Sequence, residues 1–425
     1  MAKLMFPKKA LKQHIAFLGG TGTGKTQGMM QLFDNVIEQK KVIVDVKGDY
    51  TSIYFNEDKD IILCPFDKRT IGWNIFNDIK TYQDVNAIAT ALVPINPKTK
   101  DPYWDNAARN IVEAVLIYLF KRMPNPTNKD LWDTITSFEK IAKIKEEDKD
   151  CASLIDYYIN TEDQKHTREV LGTIIAKTTV RSLQYLSLID GDFSLKRWIN
   201  DSSLKNNLFL LADPKILPTV LPIYRIIIEI IASEILSMPD DDTREFYFWL
   251  DEFPKLKKLE KVVDLLTLVR SKGGRIVYSF QEMQHLEEIY GKELAKTIIS
   301  NTNTLFVYRT TNAKFLEELL GQQEVLEYSE SRSMGSADMA DRLTATKSKK
   351  IKPLVLGSEI QRLENLEFYI KTIAPDITKA KLKYIFRETK NPKFISNIKK
   401  IKKEIVTTSS KSPSFLDNID SLDSL

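Results

Sequence analysis

Cysteine, histidine and uninterrupted apolar sequence are all scarce in this chain of 425 residues. Two cysteines, Cys64 and Cys151, are too few for a disulfide framework, and a reducing cytoplasm is the simpler setting for them. Neither sits in a C-x-x-C or Cys/His neighbourhood. With only three histidines in the chain, this argues against a metal site built on those ligands. No stretch of about 20 residues is both apolar and uncharged, so no transmembrane helix is expected. The nearest approach, Val220 to Met238, is interrupted by Arg225, Glu229 and Glu234 and reads as a buried helix. The basic N-terminus MAKLMFPKKALK lacks the apolar core of a signal peptide. There is no internal repeat.

What is present is a globular composition, 43% hydrophobic and 28% charged, in a chain long enough for two to three domains. The net charge of +4 is unevenly spread. Lys347 to Ile405 holds sixteen Lys and Arg against six Asp and Glu. Such a run fits either contact with nucleic-acid or lipid phosphate, or a solvated helix face.

The stretch His14 to Thr26, HIAFLGGTGTGKT, carries the chemistry. Gly19, Gly24, Lys25 and Thr26 satisfy G-x-x-x-x-G-K-[ST], a phosphate-binding loop. Gly19, Gly20, Thr21, Gly22, Thr23 and Gly24 form a turn whose backbone N–H groups can point inward around a phosphate. Lys25 is placed to reach the β- and γ-phosphates of ATP, and the Thr26 hydroxyl to hold Mg2+. An apolar strand, Ile15–Leu18, precedes the loop, and helical spacing from Gln27 to Gln39 follows it. Further strands are expected at Lys41–Val46, Asp60–Pro65, Leu208–Ala212, Phe246–Leu250, Arg275–Phe280 and Thr304–Tyr308. The alternation indicates a parallel α/β sheet. Between Ile95 and Leu188 the pattern is helical, including a long helix over Thr167–Leu188.

Phe246 to Glu252, FYFWLDE, is an apolar strand ending in two carboxylates. Opposite a phosphate loop, Asp251 would hold Mg2+ through water and Glu252 would polarise the attacking water. Gln281 ends the next strand and would point into the same crevice. Arg270 reads either as an arginine finger reaching a neighbour's nucleotide or as a cation favoured by a helix end. Arg309 is a weaker candidate of the same kind.

Several segments together resemble the type IV secretion coupling proteins, the TraD/TrwB group of conjugation ATPases, from about His14 to Arg387. Asp60 to Phe76, DIILCPFDKRTIGWNIF, is similar to the family's strand-NPFD-x-R-x-x-GWNPL segment, with Cys64 and Ile75 as departures. Asp101 to Arg109, DPYWDNAAR, resembles its DPFW-x-x-AAR entry to a helical domain. Asp45 to Asp49 resembles its D-x-KGE turn, and Asp251 to Pro254 its DE-x-P motif. Arg270 to Gly274, Gln281, Tyr290-Gly291 and Gly357 to Leu363 follow in family order.

The resemblance implies a RecA-like P-loop NTPase domain with a parallel-sheet core and an inserted all-α domain. Residues 1–94 and 189–405 would form the nucleotide-binding domain, 95–188 the all-α domain, and 406–425 a disordered tail. It further implies a homo-hexameric ring that hydrolyses ATP with Mg2+ and passes single-stranded DNA. The ring would link the relaxase, within the relaxosome, to the secretion channel at the cytoplasmic face of the inner membrane. Lys25, Thr26, Asp251, Glu252, Gln281 and Arg270 take their roles from matching positions. Family members usually carry N-terminal membrane helices, so a missing or separate anchor is expected here. The family also tends to a basic residue where Gln13 stands. The alternatives are a nucleotide-dependent recruitment platform and a DNA-pumping ATPase of the same superfamily.

Overall fold

The computed structural model describes residues 8–94, 102–159, 171–172, 178–333, 342–374 and 376–397. The apolar runs of the sequence become short, fully buried strands. They are β1 (Ile15–Leu18), β2 (Lys40–Asp45), β3 (Ile61–Ile62), β4 (Leu208–Leu211), β5 (Phe246–Leu250), β6 (Gly274–Phe280) and β7 (Thr304–Tyr308). These run parallel, and β10 (Glu367–Lys371) and β11 (Thr378–Lys381) extend the sheet antiparallel beside β7. The order is β11-β10-β7-β1-β6-β5-β2-β4-β3. Strands covered on both faces need no polar alternation, which is why IAFL and FYFWL are apolar throughout. The expected α/β core is therefore present, with strand ends within a residue or so of expectation. The exception is Asp60–Pro65, of which only Ile61–Ile62 is strand; Leu63 N–H still donates to Phe209 O at 3.0 Å before the chain turns at Asp67.

Between β3 and β4 the described chain is largely helical: Tyr82–Leu92, Tyr103–Arg122, Asn128–Ile135, Phe138–Glu147, Lys149–Ile155 and Thr178–Leu186. Thr81 and Thr127 open two of these helices with reciprocal caps to Asp84 and Asp130. The helix expected over Thr167–Leu188 falls partly outside the described residues. Helix Leu217–Ser237 is buried along most of its length and packs against Tyr82–Leu92 and Thr178–Leu186. Among the described residues, no helix is long and apolar enough to cross a membrane.

The GWNIF segment fastens the helices to the sheet. Trp73 is fully buried; its N–H donates to Ile189 O and its indole to Asp78 Oδ2 at 2.8 Å. Asp78 also accepts from Ser194 Oγ and from the backbone N–H groups of Leu195 and Lys196. Asn128, from the helical side, bonds Trp73 O and Ile75 N–H.

Within the described residues, the basic stretch from Lys347 is mostly strand and extended chain, not one helix face. A hairpin, β8 (Gln322–Ser333) with β9 (Arg342–Pro353), precedes β10 and β11, and residues 383–397 then run as an extended strap across the sheet. The strap is held by Gln31 Nε2 on Lys383 O, by the Arg387–Asp34 ion pair, and by Ser52 O, which accepts from Lys390 and Asn391. Asp67, from the CPFDKR segment, is fully buried and accepts from both Arg69 and Ile395 N–H. Lys349, Lys350 and Lys352 pair with Glu324 and Glu327 across the hairpin. The tail 406–425 lies outside the described residues.

Replacing Asp78 by Ala leaves four buried donors without their acceptor. The expected loss is about 3 kcal/mol of stability, read as a lower urea midpoint at unchanged m.

Candidate nucleotide site

The phosphate loop sits where β1 ends, between β6 and β7. Leu18 lies opposite Phe280 on one side and Val307 on the other, so three parallel strands terminate together. Crevices at the carboxyl ends of such strands are where ligands bind. Gly20 N–H donates to Arg309 O at 2.8 Å, and Leu366 N–H to Thr23 O at 2.8 Å, tying the loop to both neighbouring turns. Two glycines are sterically required. Gly19 has φ 146°, and a Cβ there would meet Tyr308 Cβ at 2.7 Å. Gly24 has φ 112°, and a Cβ there would meet Leu366 Cδ2 at 2.7 Å.

Helix Lys25–Asn35 starts from the loop itself, two residues earlier than expected. Lys25 is buried and its ammonium donates to Gly19 O at 2.6 Å and Gly20 O at 2.8 Å. Burial pulls its pKa down to about 8, against the pull of Asp251 and Glu252, which favour the charged form. Thr26 follows in the first turn, half-buried.

Asp251 and Glu252 leave the end of β5. Burial pushes the Asp251 carboxyl above its ordinary range, while a 2.6 Å hydrogen bond from Ser279 Oγ acts the other way. Ser279 Oγ also accepts Glu252 N–H at 3.1 Å. Glu252 adopts φ 54°, ψ 51°, a left-handed conformation uncommon outside glycine. Its carboxylate pairs with Lys47, from the turn after β2, and with Lys255. Burial works to raise the Glu252 pKa, but the two ammonium groups outweigh it and hold the carboxyl below its ordinary range. Asp45, at the end of β2, is buried and accepts Thr51 N–H and Oγ1 and Asp49 N–H. Burial pushes it up to about 6.

Gln281 joins the loop directly, accepting from Thr21 Oγ1 at 3.2 Å. Arg309 lies beside the loop, but its guanidinium turns to Leu363 O and Asn365 Oδ1. Arg270 is not brought to the loop. It is exposed at the opposite end of the sheet, donating to Gln13 Oε1 at 2.8 Å just before β1. Gln13 also accepts from Asn303, so its side-chain oxygen is shared by two donors. Sequence reasoning did not identify Ser279, Lys47 or Lys255 as neighbours of the carboxylates. The YSFQ strand carried a signal for the first, because Ser279 is a polar residue in an otherwise apolar buried run.

The donor set fits a Mg2+-bound nucleoside phosphate: a cradle shaped by obligatory glycines, a buried ammonium at its rim, and a half-buried carboxylate at the end of β5, one strand beyond β6. Fold and site define a RecA-like P-loop nucleotide-binding protein with an associated set of helices. The family model for the type IV secretion-system coupling protein DNA-binding domain matches residues 1–383, so the chain belongs to that family. Coupling protein TraD of Escherichia coli (strain K12) is 27% identical over 397 residues, covering 90% of this chain and 54% of TraD. Protein VirD4 of Rhizobium rhizogenes is 23% identical over 358 residues, covering 75% and 51%. The chain thus spans about half the length of these two relatives. Among solved structures, the unbound bacterial conjugative coupling protein TrwBdeltaN70 superposes with a TM-score of 0.77 at 25% identity, covering 93% of this chain and 92% of that one. Plasmid coupling protein TrwB in complex with ADP and Mg2+ gives 0.73 at 25% identity, covering 93% of each.

Ser279→Ala removes the donor to Asp251 and an acceptor of Glu252 N–H. A loss of about 1–2 kcal/mol in denaturant unfolding is expected, and Ser279→Thr should recover part of it.

Proposed function

We propose that this chain is the nucleotide-hydrolysing part of a conjugative coupling protein. It would use ATP to move DNA, as a relaxase–single-strand complex, toward a type IV secretion channel. The observation that carries this reading is that Asp251 and Glu252, at the end of the strand one removed from β1, lie close enough for their charges to act on the Lys25 ammonium. A pure recruitment platform would need the loop but not a base beside it.

In this reading Gly19, Gly20, Thr21, Gly22, Thr23 and Gly24 cradle the phosphates with backbone N–H groups, and Lys25 neutralises the β- and γ-phosphate charge. Thr26 and Asp251 would hold Mg2+, which draws charge from the phosphate oxygens when bound. Glu252 takes the proton of the attacking water, and Gln281, already fixed to Thr21, orients that water. Arg270 would act only in trans, because its own loop lies at the other end of its sheet. A homo-hexameric ring is the arrangement that supplies such a neighbour. The division into a nucleotide-binding part (1–94 and 189–405) and an all-α part (95–188) is proposed on the helical run between β3 and β4. Work at the cytoplasmic face of the inner membrane, through a separate anchor, is proposed from the family.

Phosphate release by the purified protein should rise with single-stranded DNA and vanish in Lys25→Ala; equal release by both proteins would sink the reading. A pH dependence follows from Lys25. Its folded pKa, about 8, lies below the ordinary lysine value, so the free protein sheds this proton as pH rises through 8. Phosphate favours the protonated form, so binding takes up a proton above that pH. Affinity for a fluorescent ATP analogue should therefore weaken on going from about pH 7 to about pH 9.5, and a flat profile would contradict this role.

A further inference from the structure

Where the helices meet the sheet, an open groove carries charge of one sign. It encloses about 510 Å³ between the GWNIF segment and the turn after helix Tyr103–Arg122. Its floor is apolar: Phe76 is buried, and Phe120 and Met123 are half-buried beside it. Its walls are fixed, because the amides of Asn74 and Asn77 donate to Pro126 O, Gly191 O and Phe193 O. Among the described residues that line it, the only charged ones are Asp190 and Asp192, both exposed. Asp190 accepts Asn128 N–H at 2.9 Å, whereas the Asp192 carboxylate has no partner among the described residues. An apolar floor with an acidic rim selects an apolar ligand that carries cations.

The chain itself supplies one. The strap ends on the CPFDKR segment, where Asn397 N–H donates to Phe66 O at 2.8 Å. The Phe66 ring lies 4.8 Å from that of Tyr185, which stands five residues before Asp190. The next residues, Ile398 to Val406, read IKKIKKEIV and lie outside the described residues. In this sequence Ile398, Ile401 and Ile405 fall at i, i+3 and i+7, the spacing of one helix face. Four lysines and one glutamate occupy most of the other positions. Five residues span at most about 18 Å and nine about 30 Å, which puts the groove within reach of the segment. The stretch beyond it has the wrong sign, with Asp417, Asp420 and Asp423 against Lys411 alone.

We propose that the segment Ile398 to Val406 docks in this groove of its own chain, with its isoleucines on Phe76, Phe120 and Met123 and its lysines toward Asp190 and Asp192. Burial of the isoleucines supplies the attraction, and the charges select this segment over the acidic stretch that follows. The short tether from Asn397 favours the groove of the same chain over that of another copy, because it holds the segment at high local concentration. The C-terminal chain then forms one belt. It passes helix Lys25–Asn35 through the Arg387–Asp34 pair and the turn after β2 through the Lys393–Asp49 pair. It crosses Asp67 and closes on the helices, tying them to elements that flank the phosphate loop. This goes beyond the reading of the chain as a motor and does not depend on it.

The test is thiol cross-linking in the full chain. Met123→Cys is combined with Ile401→Cys, and the native Cys64 and Cys151, both buried, are kept. Disulfide formation under copper phenanthroline is followed on non-reducing gels and by peptide mass. It should run several-fold faster than for Met123→Cys combined with Ile419→Cys, from the acidic stretch. Asp192→Lys should slow it several-fold, and Asp190→Asn, a milder change, should act in the same direction. Lys399→Glu, Lys400→Glu, Lys402→Glu and Lys403→Glu together should also slow it, and adding Asp192→Lys to these four should restore much of the rate. If the rate equals that of the Ile419→Cys control, the segment does not dock. If charge reversal on either side leaves the rate unchanged, the tether alone brings the thiols together and the proposal falls. If the disulfide joins two copies, the groove takes a neighbour's segment and the assignment to the same chain is overturned.

Discussion

The parallel register of β7, β1, β6 and β5 is the constraint on which the rest of this molecule depends. Hydrogen-bonded strands of one direction must end at one edge. Here that edge collects Gly19 after β1, Asp251 and Glu252 after β5, Gln281 after β6 and Arg309 after β7. These residues are separated by up to 290 positions in the chain, and no local interaction brings them together. Pleated pairing of buried apolar strands does so, and the loop is then shaped by what those strands leave room for. Gly19 and Gly24 are glycine because Tyr308 and Leu366 occupy the space a side chain would need.

A second theme is how electrostatics is graded around the crevice. Lys25 and Asp45 are buried and Asp251 is half-buried, and desolvation shifts each toward its neutral form. Glu252 goes the other way, because two lysines overcome the cost of burial. The site therefore holds two successive carboxylates with opposite shifts, and different neighbours decide each. Ser279 links the two, donating to the first and accepting the backbone N–H of the second.

Three of the family-like segments are fastenings more than chemistry. Asp67 and Arg69 of CPFDKR grip the strap that returns across the sheet, Trp73 of GWNIF plugs the junction with the helices, and Arg109 of DPYWDNAAR donates to Val93 O at the end of the preceding helix. These residues secure the strap and the helices to the sheet.

The phosphate loop, the DE pair, the α/β alternation and the helical run were legible in the sequence because each is a local pattern. Buried parallel strands are continuous apolar runs, helices repeat every three to four residues, and a phosphate loop needs its glycines in fixed order. The hairpin β8–β9, the antiparallel strands β10 and β11 and the strap were not legible, since they lack the continuous apolar run of the buried parallel strands. Nor did the sequence show that Arg270 meets Gln13, or that Lys47 and Lys255 converge on Glu252. Those are facts of strand order and turn geometry. Composition and spacing determined which groups the chain has available for nucleotide chemistry. The tertiary structure decided which of them meet, because only the folded sheet sets the distances through which charges and hydrogen bonds act.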